Sequence, residues 1–158
     1  MYRRIEDFIA DWNESSAGTL KAIRALEDDK LNQAIVVGHS TLGWLSWHLV
    51  GAMSFFGASA GLLVPIQGRP DEQPTTVEEL AQGYEKNAAE IVEGATKFTD
   101  ADLEKYVDAF GQRQQIGKLL RKMIDHQTHH RGQMTVLIRQ AGLIVPPIMG
   151  PTQEMSRK

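Results

Sequence analysis

The sequence predicts an all-α protein, a four-helix bundle formed by a single domain over residues 1–158. Four segments repeat apolar residues at the spacing of an amphipathic helix, and strand-like alternation is almost absent, so less than a few per cent of strand is expected. The link between the second and third helices has roughly 17 residues, which span ~50 Å when extended at ~3.3 Å per residue. Antiparallel neighbours need only a short turn, so this link is expected to cross the bundle and give an up-down-down-up order.

The first two helices are expected over about 3–28 and about 40–58. The first follows a continuous apolar stripe, weakened slightly by one internal glycine. The second begins at Ser40 or Thr41, either of which can cap it. The segment after this helix contains three prolines. It is therefore predicted as a connection without regular structure.

The third and fourth helices are expected over about 76–98 and about 116–141. Thr76 followed by Glu79 is a capping box, which fixes the start of the third helix. The segment 99–115 is expected to be an irregular link that starts with at most one short turn. The fourth helix has the clearest periodicity in the chain, and it carries three of the five histidines.

Composition excludes several classes of protein. The 158 residues are 42% hydrophobic, which is enough to bury one core without disulfide or metal support. A net charge of −3, with no run of Lys or Arg, argues against a nucleic-acid partner. The absence of cysteine excludes a disulfide scaffold, a thiolate metal site and a cysteine nucleophile. The N-terminus is charged and lacks the apolar region of a secretory signal, so a cytoplasmic location is expected.

One long segment carries no charged side chain. Residues 31–68 contain no Asp, Glu, Lys or Arg and are long enough to span a bilayer. Two histidines and several glycines interrupt the segment, so a buried bundle helix is expected and a membrane partner is not. It is also longer than one helix of a small bundle needs to bury. Part of residues 55–66 is therefore predicted to lie at a homodimer contact.

The stretch "HQTHHRGQM", residues 126–134, contains the candidate chemistry. His126 and His130 are four residues apart, so they share one face of a helix, and that face is otherwise apolar. Each buried imidazole without a partner costs about 1–3 kcal/mol. A divalent metal satisfies such a pair, and hydrogen-bonded core histidines are the alternative that this spacing leaves open.

A third histidine on the second helix favours the metal. His48 lies on an equally apolar helix, and bundle interiors are where such sites are built. His39 is predicted in the entry to that helix, and His129 at the edge of the stripe. Zinc is the first expectation, with nickel, manganese, iron or cobalt as alternatives for an imidazole-only site. Affinity is expected to fall below about pH 6, near the unperturbed His pKa of ~6.5.

The zinc-protease motif is similar but incomplete. Gln127 occupies the position of the essential glutamate in His-Glu-x-x-His. An amide cannot act as a general base, so a metalloprotease is not expected.

Two longer stretches resemble a known family. "HQTHHRGQMTVLIRQAGLIVPP", residues 126–147, closely resembles the C-terminal signature of the DinB/YfiT-like proteins. "STLGWLSWHLVGA", residues 40–52, more loosely resembles the family's second-helix segment with the first histidine. The resemblance implies an up-down-down-up four-helix bundle, often dimeric. It also implies one metal bound by His48, His126 and His130.

The resemblance also implies a range of activities. Some relatives are thiol-dependent S-transferases that use bacillithiol, mycothiol or glutathione, and some are isomerases. The expected function is therefore a metal-dependent enzyme that activates water or a low-molecular-weight thiol such as bacillithiol for reaction with a small-molecule substrate. A hydrolase that uses the same site, and a non-enzymatic bundle that binds metal or a small molecule, remain alternatives.

Several further residues are candidates for supporting roles at the site. Four aromatic residues of the second helix are predicted to line a pocket for the substrate, with ordinary core packing as the alternative: Trp44, Trp47, Phe55 and Phe56. Arg131 is a candidate to meet a carboxylate of the thiol, with a solvated or ion-paired surface role as the alternative. Gln133 and His129 are predicted to form hydrogen bonds that orient a ligand.

Overall fold

The computed structural model describes residues 1–156; residues 157 and 158, the end of the predicted domain, lie outside the described residues. This range forms α1 (Ile5–Arg24), α2 (Leu42–Ala60), α3 (Val77–Ala95), α4 (Asp100–Leu103), β1 (Tyr106–Ala109), β2 (Gln112–Gln115) and α5 (Ile116–Gln140). The four long helices confirm the predicted all-α bundle. The helix α4 is the single short turn expected after α3.

Local hydrogen bonds set the ends of the helices close to the predicted positions. The Thr41 hydroxyl accepts a bond from the Trp44 backbone N–H at 3.1 Å and caps α2. The Thr76 hydroxyl accepts from the Glu79 backbone N–H at 3.3 Å and caps α3. Gly61 ends α2 with a φ of 85°, a left-handed conformation that glycine adopts without steric cost.

The helices α1 and α5 run in the same direction. The Tyr2 N–H donates to the Gly117 carbonyl at 3.1 Å, which places the two helix starts together. Further along, the Thr19 hydroxyl meets the Gln127 side chain. Later residues of α1 thus contact later residues of α5, which shows that the two helices are parallel.

The helices α2 and α3 form the second parallel pair. Gly83 lies against the Trp47 ring, and more than two turns further along both helices Gly57 lies against the Ile91 side chain. Both α2 and α3 pack against α1 or α5, and the two pairs close the bundle.

The two pairs run in opposite directions. Near the start of α2, Leu45 lines the same cavity as Leu137, which is near the end of α5. Towards the end of α2, the Phe56 ring lies 5.6 Å from the ring of His126, earlier in α5. The order is therefore up-down-down-up, as predicted.

The link from α2 to α3 follows α2 back along its length. Gly68 packs on Gly51 in the middle of α2, and the Gln73 amide reaches Gly43 near its start. A Cβ on Gly68 would lie 2.0 Å from the Gly51 nitrogen, and the φ of Gly68 is 81°. Only glycine fits here, because both the close approach and the left-handed backbone exclude a side chain.

The prediction of an irregular link over residues 99–115 was wrong in its second half. The expectation of less than a few per cent of strand was also too low, because two four-residue strands lie there. There β1 and β2 pair antiparallel, with Tyr106 opposite Gln115. Phe110 and Gly111 form a two-residue loop with φ values of 54° and 68°, which is a type I′ turn. The sequence signal was weak, because such turns favour Asn-Gly and because β2 is entirely polar.

The charge-free segment supplies α2, most of whose side chains are buried. Within residues 1–156, no helix is both long enough and apolar enough to cross a membrane. Beyond α2 the segment leaves Leu63 and Ile66 each 82% exposed. The homodimer stays a prediction, which sedimentation of the purified chain tests.

Candidate metal centre

Three imidazole rings from α2 and α5 converge between these helices. His126 and His130 lie one turn apart on α5, and their Nε2 atoms are 3.2 Å apart. The Nε2 atom of His48, on α2, lies 3.4 Å from that of His126. One ligand atom from each ring lies within 4.8 Å of the others. The structure thus brings together the three histidines selected from the sequence.

The spacing of the nitrogens fits a divalent ion. Two nitrogen ligands at ~2.05 Å from a tetrahedral ion are about 3.3 Å apart, close to both of these Nε2 separations. Within residues 1–156, the Nε2 atoms of these three rings have hydrogen-bond partners only in one another, so an ion between them would give all three lone pairs a partner. Among residues 1–156, no carboxylate belongs to the ligand group. The residues therefore fit an ion held by three neutral imidazoles.

Gln133 sets the orientation of one of these rings. Its side-chain oxygen lies 2.7 Å from His130 Nδ1. An amide oxygen only accepts a hydrogen bond, so Nδ1 of His130 carries the proton. The Nε2 lone pair is then free and faces the other two rings, which is the tautomer a metal ligand needs.

The environment keeps all three rings neutral. Burial, followed by the neighbouring imidazoles, lowers the pKa of His126 to about 4. Burial is also the main cause that lowers the pKa of His48 and of His130, although the bond to Gln133 partly opposes it for His130. Neutral imidazole is the form that binds a metal, so the cluster is ready for an ion at neutral pH.

Aromatic rings surround the cluster. The Trp44 ring stacks on His48 at 4.6 Å with an interplanar angle of 7°. Trp44 remains 38% exposed, and the three histidines are themselves only partly buried. The centre therefore has apolar walls and stays accessible from one side.

Gln127 holds α5 in register with the other three long helices. Its side-chain oxygen accepts bonds from the Tyr84 hydroxyl at 2.9 Å and the Thr19 hydroxyl at 3.3 Å. Its amide nitrogen donates to the Leu49 carbonyl at 3.4 Å. The side chain is fully buried, and these bonds reach α1, α2 and α3. It therefore positions His126, its neighbour on α5, and does not point toward the histidine cluster.

Comparisons with known proteins agree with this fold. A family model described as the DinB family matches residues 1–157. The chain belongs to the DinB family. It is 36% identical over 155 residues to "Uncharacterized protein YrdA" of Bacillus subtilis (strain 168), a match that covers 98% of this chain and 93% of YrdA.

Two solved structures are also similar. One is a DinB-like protein from Bacillus cereus ATCC 10987, with a TM-score of 0.89 and 40% identity, covering 94% of this chain and 99% of that one. The other is the DinB-like protein YjoA from Bacillus subtilis, with a TM-score of 0.74 and 18% identity, covering 92% and 99%. The second likeness shows the fold alone.

Arg131 of this DinB-family chain does not reach the histidine cluster. Its guanidinium donates to the Ser15 carbonyl at 2.7 Å and to the Thr19 hydroxyl at 3.2 Å, both on α1. The residue is 5% exposed, and burial lowers its pKa from the ordinary value. Neither the expected contact with a thiol carboxylate nor the alternative surface role describes this position, because the side chain joins α1 to α5 inside the bundle.

The remaining histidines lie beside the centre and outside the ligand group. The His129 ring is exposed and lies 4.9 Å from the ring of His130. His39 is exposed in the loop before α2, where it lines a cavity of about 230 Å³ together with Gln133. His129 thus lies at the rim of the cluster and His39 in the loop before α2, and the hydrogen bond expected for His129 stays a prediction.

Sequence reasoning missed one residue near the centre. Phe110, at the tip of the hairpin, has its ring 5.0 Å from the rings of both Phe55 and Phe56. Phe56 in turn lies beside His126. The only sequence signal was an aromatic residue before a glycine, which does not say where a hairpin tip will lie.

Proposed function

We propose that this DinB-family chain is a metal-dependent enzyme of the thiol S-transferase type. His48, His126 and His130 would hold one divalent ion, zinc first, with nickel, manganese, iron or cobalt as alternatives. A low-molecular-weight thiol such as bacillithiol would be the co-substrate. The observation that carries the proposal is the convergence of three imidazole nitrogens at ligand spacing on an accessible side of the bundle.

The three ligands leave room for chemistry. An ion held by three imidazoles keeps at least one coordination position open, and it lowers the pKa of a water or thiol bound there. The side of the centre lined by Trp44 is partly exposed, so a co-substrate can reach it. A closed structural site would need a fourth side chain, and the ligand group within residues 1–156 has only three members.

The charge of the site favours an anionic nucleophile. All three ligands are neutral, and no carboxylate in the ligand group offsets the charge of a divalent ion. An anion such as a thiolate is therefore attracted to this position. A thiol, with a pKa of ~8.5, loses its proton far more readily than water and needs less help from a general base. The chain contains no cysteine, so the thiol must come from outside.

The test uses protein purified without an affinity tag and loaded with zinc. It is incubated with monochlorobimane and, separately, with bacillithiol, mycothiol or glutathione. Transfer forms the carbon–sulfur bond, breaks the carbon–chlorine bond and releases chloride, and the thiol proton passes to solvent. We expect a fluorescent adduct with at least one thiol, formed faster than in the uncatalysed reaction. The His126→Ala/His130→Ala double variant should lose this acceleration.

Two control variants separate the centre from its surroundings. His129→Ala removes an imidazole beside the ligand group and should keep most of the acceleration. Arg131→Met removes the buried cation and should also remain active, because its guanidinium faces α1. No acceleration with any of the three thiols would contradict the transferase proposal. Hydrolysis of ester substrates without a thiol would identify a hydrolase instead.

A further inference from the structure

Phe110 has a backbone conformation that its side chain disfavours. Its φ is 54°, and among residues 1–156 it is the one non-glycine residue with a positive φ. The left-handed region is unfavourable for a bulky residue, and a type I′ turn strongly prefers Asn at this position. A strained residue of this kind indicates a role that a relaxed residue would not serve.

Burial does not explain why a phenylalanine stands there. The side chain is 51% exposed, so half of the ring faces solvent. Its contacts are two aromatic rings of α2, Phe55 and Phe56, each at 5.0 Å between centroids. Phe55 is itself 52% exposed. The hairpin therefore holds an apolar ring against a second exposed ring.

These rings lead to the histidine cluster. The Phe56 ring is only 5% exposed and packs 5.6 Å from His126, so it forms the buried step between the exposed ring of Phe110 and the ligand group. Trp44, stacked on His48, is a further exposed ring at the same cluster. None of these aromatic side chains carries a charge. The surface next to the centre therefore suits a flat apolar group.

We propose that Phe110 determines specificity at this centre: with Phe55 and Phe56 it forms an apolar wall that binds an aromatic part of the substrate. The reactive end of the same molecule would then lie beside His126. The catalytic consequence rests on the proposed function, whereas binding of the aromatic group to the wall does not require a metal or a reaction.

The test measures binding of 1-naphthol by equilibrium dialysis, with zinc-free and with zinc-loaded protein. Phe110→Asn gives the turn its preferred Asn-Gly pair, so the variant should be at least as stable as the parent in thermal denaturation. It should bind 1-naphthol about tenfold more weakly, because an aromatic contact is lost. Zinc affinity, measured by titration calorimetry, should not change.

Two further variants control the experiment. Tyr106→Asn removes another exposed aromatic residue of the same hairpin, which faces Arg113 and not the wall, and should leave 1-naphthol binding unchanged. Phe110→Tyr keeps a ring at the tip and should retain binding within about threefold. This variant also covers the case in which Phe110→Asn disturbs the fold.

Several outcomes overturn the proposal. They are no binding of 1-naphthol to the parent, equal binding by the parent and Phe110→Asn, and equal losses in Phe110→Asn and Tyr106→Asn. If Phe110→Asn instead converts a dimer into a monomer in sedimentation and keeps 1-naphthol affinity, the wall is a contact between copies. A failure of the proposed function appears separately, as absent zinc binding or absent transfer by a protein that still binds 1-naphthol.

Discussion

The zinc affinity of the histidine centre should resist acid better than that of unperturbed histidines. An imidazole with a pKa of ~6.5 is neutral in only about one molecule in eleven at pH 5.5. Three independent ligands of this kind would lose about 1,000-fold in affinity between pH 7.5 and 5.5. With its pKa lowered to about 4, His126 stays about 97% neutral at pH 5.5, which removes one factor of about ten.

The expected loss is therefore below about 100-fold, since the pKa values of His48 and His130 are lowered as well. Zinc affinity should therefore fall at a lower pH than the value near 6 expected from the sequence. The assay is competition with a chromophoric zinc chelator at pH 7.5, 6.5 and 5.5, corrected for protonation of the chelator. A 1,000-fold loss with a midpoint near pH 6.5 would show that the three imidazoles titrate as unperturbed histidines.

The same shifts predict the behaviour of the zinc-free protein. Between about pH 6.5 and about pH 4, the unfolded chain binds a proton at His126 that the folded chain does not. The free energy of unfolding should therefore decrease as the pH falls through this window. Denaturant unfolding of the parent and of His126→Ala, compared at pH 7 and 5, measures the difference; an equal decrease in both would contradict this assignment.

Other substitutions test the roles of single side chains. Arg131→Met should leave zinc binding unchanged but reduce the free energy of unfolding by about 1–3 kcal/mol, measured by denaturant unfolding, because bonds between α1 and α5 are lost. Gln127→Glu recreates the zinc-protease pattern but should show no peptidase activity, because the side chain is fully buried and bonded away from the ligands; cleavage of a casein substrate would contradict this. Gln133→Ala should weaken zinc binding by about 10-fold to 100-fold in calorimetry, because His130 loses the acceptor that sets its tautomer, and unchanged affinity would argue against that role.

The long helices could be predicted because their signals are local. Thr41 and Thr76 cap the helices at which the sequence placed them, and Gly61 ends α2. The order of the helices followed from the length of one link. That inference used chain geometry alone, and the packing of Gly68 on Gly51 confirms the path of the link.

The hairpin could not be predicted on the same basis. Its four paired positions gain little from local preference, because β2 consists of Gln and Arg residues and the loop begins with Phe110. A strand pair of this length forms only because α2 and α5 offer a surface to pack on. That surface exists only in the assembled bundle, so the sequence alone does not reveal it.

The candidate site could likewise be predicted only in part. His126 and His130 share a face by helical spacing alone, whereas His48 was selected only because its helix is equally apolar. Arg131 shows where this reasoning fails. Its place on α5 is fixed by the sequence, but which neighbour it meets depends on the packing of α1 beside α5.

The most direct test of the three-histidine centre is the zinc content of tag-free protein. The parent, His48→Ala, His126→Ala/His130→Ala and His129→Ala are incubated with excess zinc, dialysed and analysed by elemental and native mass spectrometry. We expect one zinc ion per chain in the parent and in His129→Ala, and no stoichiometric zinc in the other two. One tightly bound zinc ion per chain in the His126→Ala/His130→Ala variant would contradict it.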